Sequence, residues 1–331
     1  MKIGKVPPDI LQKSVYPFLG TKRNEVLVHS GLGEDCSIID FGSQVAVISC
    51  DPITGADNHS GWLSVFVSCN DIAACGAKPI GILTTVLLPQ GSTQGELTAI
   101  MKGIHEAAKS IKIEVLGGHS EVTAAVTKPV ICTTAMGVAK KDAFVTSSGA
   151  KPGDDVIVTK AIGLEGTAIL ATDFENFLID KIPESQIKTA QKFIHKISVI
   201  SDGLVAAKAG VSAMHDITEG GLLGACCEIA QASGVGIKIY KESIPILPET
   251  ISICEAFKIN PLGLISSGSM LICTPDGNRV LSSLKSMDIP ATIIGTITQK
   301  DKYIVSNGSK IPIVLPERDE LYCAIEYVSK N

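Results

Sequence analysis

Aromatic side chains are scarce in this chain: Phe, Trp and Tyr together make up 4% of it, and tryptophan occurs once. Any core must therefore be assembled from small aliphatic residues, and a hydrophobic content of 45% supplies them. That content argues against disorder. Basic clusters are missing too. The formal net charge is −5, and the electrostatic footprint that nucleic-acid binding leaves is absent. No apolar run approaches the ~18 residues needed to cross a bilayer, and the opening "MKIGKVPPDI" has no apolar export segment. A cytoplasmic protein without membrane or nucleic-acid partners is the expectation. Its ten cysteines then read as reduced thiols. None forms a CxxC pair, and the adjacent Cys226 and Cys227 do not match zinc-ligand spacing, so most read as core fillers. GxxxxGK[ST], HExxH and GxSxG are all missing. An acidic chain that handles phosphates must do so through backbone amides or bound cations.

With 331 residues the chain exceeds what one core usually supports, so two domains are expected. "SSGAKPGDD" (147–155) concentrates Ser, Gly, Pro and Asp ahead of the strand-like "VIVTK", which divides the chain into 1–148 and 149–331. In the first part "CSIIDFGSQVAVISCD" reads as a hairpin turning at Gly42 and Ser43, and "ILTTVLLP" and "KPVICTTAMGVAK" add strands. "TQGELTAIMKGIHEAAKSI" places Leu97, Ile100, Met101, Ile104, Ala108 and Ile111 at helical spacing, with Thr93 and Glu96 as a capping box. The order suits an α+β layer. In the second part a strand at 156–160, helical stretches at 164–172, 185–209 and 219–233, and strands near 270–274 and 291–298 describe an α/β unit.

The acidic residues carry the chemistry. Asp35 before the first hairpin strand and Asp51 after the second share its open end, directly opposite or one step off. Like charges so close are destabilising unless a cation lies between them. Asp71 sits in "WLSVFVSCNDIAACG" among Phe66, Val67, Ile72 and Ala74, where an unpaired carboxylate would cost several kcal/mol. Taken alone, Asn70 or Asp71 would read as the cap of a helix starting at Ile72; three acids in one domain weaken that reading. Cys69 and Cys75, roughly 240° apart around a helix, cannot share a metal. In "MHDITEGGLLGACCEIAQASG" a helical stripe ends at Gly234, a C-cap, while Asp216, Thr218 and Glu219 crowd its N-terminus, with Glu219 reading as a cap. "LGGHSEVT" adds Gly117 and Gly118, a pair that permits close backbone approach to a ligand or simply a turn. His119 and His215 flank these motifs, and lone loop histidines are more often structural.

"GEDCSIID" (33–40), "SCDPIT" (49–54), "SCNDIAACGAKP" (68–79), "LGGHSEVT" (116–123), "KPGDDVIVTK" (151–160), "IGLEGTAIL" (162–170) and "MHDITEGGLLGACCEIA" (214–230), in this order, resemble the PurM-like superfamily. That superfamily includes aminoimidazole ribonucleotide synthetase, selenophosphate synthetase, thiamine-monophosphate kinase and the hydrogenase maturation protein HypE, and the chain looks most similar to HypE-like, AIR synthase-related proteins. The resemblance implies an α+β N-terminal domain that builds a β-barrel with its twin across a homodimer, an α/β C-terminal domain, and ATP in the cleft near the dimer interface. By the same carry-over Asp35, Asp51, Asp71 and Asp216 are the magnesium ligands. Asn70, Gly117, Gly118, Ser120, Glu121, Thr218 and Gly220, with the acids, are the candidates for the nucleotide site, and Asp71, Asp216 and His119 for catalysis.

Magnesium held by a few carboxylates and by substrate phosphates needs no P-loop lysine. The implied chemistry is transfer of the ATP γ-phosphoryl group, or a dehydration built on it, to a small or peptide-borne acceptor. Two departures stand out. HypE proteins end in a group-carrying cysteine, whereas Cys323 lies eight residues before the end of "YCAIEYVSKN", in what reads as an amphipathic segment. Selenophosphate synthetase carries a Cys or selenocysteine in an N-terminal loop, and "MKIGKVPPDILQK" has none. A nucleotide-controlled maturation factor with a protein partner is therefore the alternative, and thiamine-monophosphate kinase or purine-pathway activity the third reading.

Overall fold

Runs of Val, Ile and Thr divided by Gly and Ser favour pleated strands, and most strands of this protein come from such runs. The computed structural model describes residues 4–54 and 58–330. Its first sheet contains β1 (Val26–Val28), β2 (Ser37–Asp40), β3 (Gln44–Ile53), β4 (Lys78–Pro89), β5 (Glu114–Thr123) and β6 (Val130–Lys140), in the order β1-β2-β3-β6-β4-β5. β2 and β3 form the expected hairpin, closed by Phe41 N–H donating to Gln44 O around Gly42, whose φ of 90° suits a tight turn. Ser37 stands opposite Ile48. The register therefore carries Asp35 to the level of Cys50, one step from Asp51, which lies inside β3 rather than after it.

One face of this sheet is covered by the helices Ser60–Ala74 and Gln94–Ser110. The second helix starts with the anticipated capping box: Thr93 Oγ1 accepts Glu96 N–H and Glu96 accepts Thr93 N–H. The first is continuous through Asp71. Neither Asn70 nor Asp71 caps a helix at Ile72, because the apolar stripe Leu63, Phe66, Ile72 makes one buried helix of the whole stretch.

The second sheet contains β7 (Asp155–Thr159), β8 (Ala213–Asp216), β9 (Gly236–Tyr240), β10 (Met270–Thr274), β11 (Ala291–Thr298), β12 (Lys302–Ser306) and β13 (Ser309–Pro312), in the order β13-β12-β9-β11-β7-β10-β8. The helical stretch expected at 185–209 is two helices, Glu184–Gln191 and Ile200–Ala209, parted by a 3-10 turn. Gly234, at φ 66°, ends the helix Gly221–Ser233 as anticipated. A common core joins the two halves. Leu63, Phe66 and Ile72 from the first half belong to one buried cluster with Leu164, Phe193 and Phe257 from the second. Seven of the ten cysteines are buried and all are free thiols. Among the described residues no helix is long and apolar enough to cross a membrane.

Candidate functional site

Alternation along β3 puts Ser49 and Asp51 on the same face. The helix behind that face delivers Asp71 from its last turn. Ser49 Oγ lies within hydrogen-bonding reach of Asp71 Oδ2 and, at 3.0 Å, of Asp51 Oδ2. A hydroxyl has one proton, so it can bond only one of these carboxylates as a donor. The pair still needs a shared proton or a cation.

A second pair of acids comes from the other elements that meet here. Asp35 lies in the loop before β2 and Asp216 ends β8, with side chains 7% and 1% exposed. His215 stands beside them: Nδ1 is 2.8 Å from Asp35 Oδ1 and 4.0 Å from Asp216 Oδ1, and Nε2 is 2.9 Å from Glu228 Oε2. Burial pulls its pKa down, yet the carboxylates of Asp35 and Glu228 outweigh this and hold the ring well above the ordinary histidine range. Sequence reasoning left His215 without a role; its place directly before Asp216 in "MHD" was the only signal.

The four acids act as one electrostatic unit. Burial pushes Asp71 well above the usual carboxylate range, and Asp51, Asp216 and Asp35 push it further. Burial and then Asp35 push Asp216 up to about 7. Both Asp216 oxygens are buried, and neither accepts a hydrogen bond from a permanent donor. Native proteins rarely leave such atoms unsatisfied. Ligand atoms of Asp35, His215 and Asp216 lie within 4.8 Å of one another. Hard oxygen donors around an orphaned carboxylate fit a divalent cation.

Other expected members are placed differently. Asn70 spends its side chain elsewhere: Nδ2 donates to Ile197 O at 2.8 Å and Oδ1 accepts Val199 N–H at 2.9 Å. It clasps the two halves together and is fully buried. Gly220 N–H is taken by Asp319 Oδ2 at 2.6 Å, so the helix Gly221–Ser233 is capped from the far end of the chain. Glu219 does not cap it, contrary to expectation; its Oε1 accepts Lys5 N–H at 2.9 Å. Thr218 O accepts Gly221 N–H at 3.0 Å in the same turn.

"LGGHSEVT" is not a turn but the edge strand β5, running parallel to β4. Gly118 serves strand packing, because a Cβ there would fall 1.8 Å from Thr84 O. Gly117, Gly118, His119, Ser120 and Glu121 are exposed, and His119 Nε2 is 3.3 Å from Glu121 Oε2. β6 and β4 lie between β5 and β3, a lateral separation of about 14 Å at usual strand spacing. Within one chain the fold does not bring these residues to the four acids.

Known proteins share this arrangement of elements. The description "AIR synthase related protein, N-terminal domain" matches residues 33–139, and "AIR synthase related protein, C-terminal domain" matches residues 151–306. A protein of Methanocaldococcus jannaschii named for hydrogenase expression/formation is 29% identical over 291 residues, covering 84% of each chain. Carbamoyl dehydratase HypE of Rhizobium leguminosarum is 28% identical over 260 residues, 77% of this chain and 72% of that one. A solved HypE–HypF complex matches with a TM-score of 0.74 at 22% identity, over 93% of this chain and 99% of that one. ThiL complexed with AMPPCP and TMP gives 0.70 at 23%, over 86% and 90%. HypE in complex with ATP gives 0.68 at 19%, over 95% and 94%. The two-part α/β architecture is the PurM-like one.

Proposed function

This chain belongs to the AIR synthase related protein family, and on that premise we propose that it is a Mg-ATP-dependent enzyme of the HypE type, transferring the ATP γ-phosphoryl group to an oxygen of a small or peptide-borne acceptor. The observation that carries this reading is the set of half-buried Asp35 and Asp51 with buried Asp71 and Asp216, both Asp216 oxygens lacking donors. These four would hold magnesium, which would supply positive charge to the phosphate oxygens. Ser49 stands between Asp51 and Asp71, and His215 stands beside Asp35. The ATP complex of HypE and the AMPPCP complex of ThiL support a nucleotide in the same fold. Calorimetric titration of ATP with and without magnesium tests the reading. Micromolar, magnesium-dependent binding that Asp71→Asn abolishes is expected; no nucleotide binding by the wild-type chain would overturn it.

A second reading has its own support. Cys323 lies in the helix Glu320–Lys330, its sulfur 3.4 Å from Arg318 Nη2, an arrangement that does not suit a mobile carrier of a dehydrated group. The HypE–HypF complex makes a maturation partner the natural alternative. Recovery of a stoichiometric protein partner whose affinity changes with ATP would favour a nucleotide-controlled assembly factor with little turnover. Thiamine-monophosphate kinase activity is the third choice, on the likeness to ThiL. The division at 148/149 is supported by the two sheets, which end at Lys140 and begin at Asp155. A homodimer is supported by the outer face of the first sheet, where Ile80, Leu83, Leu116 and Val122 are between 42% and 56% exposed.

A further inference from the structure

Cys50 and Cys132 hold their sulfurs in contact, Sγ to Sγ at 3.6 Å. Cys50 on β3 lies opposite Thr134 on β6, and Thr134 lies opposite Leu83 on β4, so all three share the exposed outer face of the first sheet. Cys132 comes two residues before Thr134, on the same face and opposite Pro52. Thr134 Oγ1 donates to Cys50 Sγ at 3.3 Å. The other eight thiols are set differently. Seven are buried and Cys323 lies against Arg318, which leaves Cys50 as the one exposed thiol of the ten.

The two sulfurs flank the acidic site from behind. Cys50 directly precedes Asp51 and Cys132 directly precedes Thr133, while Asp51 and Thr133 stand opposite each other and turn to the other face of the same strands. A bond between the sulfurs would therefore run diagonally across the backbone pair that carries Asp51. Diagonal neighbours on antiparallel strands have Cα atoms roughly 7–8 Å apart, whereas a disulfide spans about 4.4–6.8 Å. Closing the bond draws β3 and β6 together at Asp51 and shifts that carboxylate relative to Asp71, which is held on the helix Ser60–Ala74.

We propose that Cys50 and Cys132 are a thiol modification site, which takes a low-molecular-weight disulfide as oxidant and closes reversibly to a protein disulfide that displaces Asp51. The Cys50 sulfur attacks one sulfur of the oxidant RSSR. The bond from Cys50 to SR forms, the S–S bond of the oxidant breaks, and the departing sulfur takes up the Cys50 proton as RSH. Cys132 then attacks the Cys50 sulfur, forming the Cys50–Cys132 bond and releasing the second RSH with the Cys132 proton. Two protein thiols are oxidised and one RSSR is reduced to two RSH. Burial pushes the Cys132 thiol up to about 11, so exposed Cys50 makes the first attack and Cys132, held against it, the second. The bond itself is independent of the Mg-ATP reading above; its effect on the acids rests on that reading.

Oxidised glutathione is the probe, applied to the full-length chain; free thiols are then blocked under denaturing conditions and the peptides mapped by mass spectrometry. The same face is proposed as the dimer contact, so the double variant Leu83→Glu, Leu116→Glu is treated beside the wild-type chain. A Cys50–Cys132 cross-link that dithiothreitol reverses is expected, in both chains or, where pairing of two copies shields the sulfurs, in the variant. Cys132→Ser stops at a stable glutathione adduct on Cys50, and Cys50→Ser takes up none at Cys132. No cross-link in either chain, or a wild-type chain that stops at the adduct as Cys132→Ser does, would overturn the inference. The wild-type chain decides alone if a variant does not fold. Magnesium-dependent ATP binding is measured by calorimetry before oxidation, after it and after reduction. A loss of at least about tenfold on cross-linking, regained on reduction, is expected. No ATP binding by the reduced chain would remove the nucleotide reading alone, whereas unchanged ATP binding by the cross-linked chain would overturn the displacement of Asp51.

Discussion

His215 Nδ1 lies 2.8 Å from Asp35 Oδ1, joining the end of β8 in the second sheet to the loop that leads into β2 in the first. The contact sets one histidine ring among four acidic side chains. It also shows that the site exists only where the two halves meet.

Removing one of the four acids should stabilise the apo protein while destroying its function. In Asp216→Asn a carboxyl raised to about 7 by burial and Asp35 becomes a neutral amide of the same shape. We expect stability to rise by about 1–2 kcal/mol at pH 8 and magnesium-dependent ATP binding to fall at least about a hundredfold. Urea denaturation and calorimetry on the same preparation check both; a loss of stability together with a loss of binding would indicate a structural role.

Magnesium affinity should depend on pH in a defined direction. Burial first and neighbouring acids second push Asp216 up to about 7 and Asp71 well above the usual carboxylate range, and a carboxyl must lose its proton to bind a cation. Apparent affinity should rise by about tenfold per pH unit for each proton released up to pH 7, and less steeply above. Apo stability should move the other way. Acids whose pKa is raised on folding hold more protons in the native state, so their contribution is present below the ordinary carboxylate pKa. It is lost as pH rises through about 7 for Asp216, and above the usual carboxylate range for Asp71. Calorimetry in two buffers of different ionisation enthalpy at pH 6–8.5 counts the protons; none released would contradict the prediction.

Asn70→Ala tests the clasp. It would leave Ile197 O and Val199 N–H without their buried partners, at a cost of about 2–4 kcal/mol. Chemical denaturation gives that number. ATP affinity of the folded protein should change by less than about threefold, whereas a larger loss would return Asn70 to the nucleotide site.

Glutamate at Leu83 and Leu116 together tests the outer face of the first sheet, where these side chains are 46% and 49% exposed. Sedimentation should show a dimer for the wild-type chain and a monomer for the double variant. Unchanged sedimentation of a folded variant would rule this face out as the contact.

Much of this protein is legible along the chain because the signals are local. The Thr93–Glu96 capping box, the hairpin at Gly42 and the Gly234 C-cap depend on residues within a few positions of one another, and each formed as expected. Asp35, Asp51, Asp71 and Asp216 could be singled out because an acid in an apolar run demands a partner wherever it folds.

Local pattern could not decide which groups those partners would be. "LGGHSEVT" has the composition of a turn, yet β4 offered it an edge to pair with, and Gly118 answers the approach of Thr84. The cap of the helix Gly221–Ser233 comes from Asp319, about a hundred residues away, and the ring beside Asp35 from His215. The sequence by itself determined the elements and the acids that need a counter-charge, through periodicity, turn chemistry and the cost of burying charge. Only the tertiary structure decided the company those acids keep, because hydrogen bonds and ion pairs act over a few ångströms of space and take no account of distance along the chain.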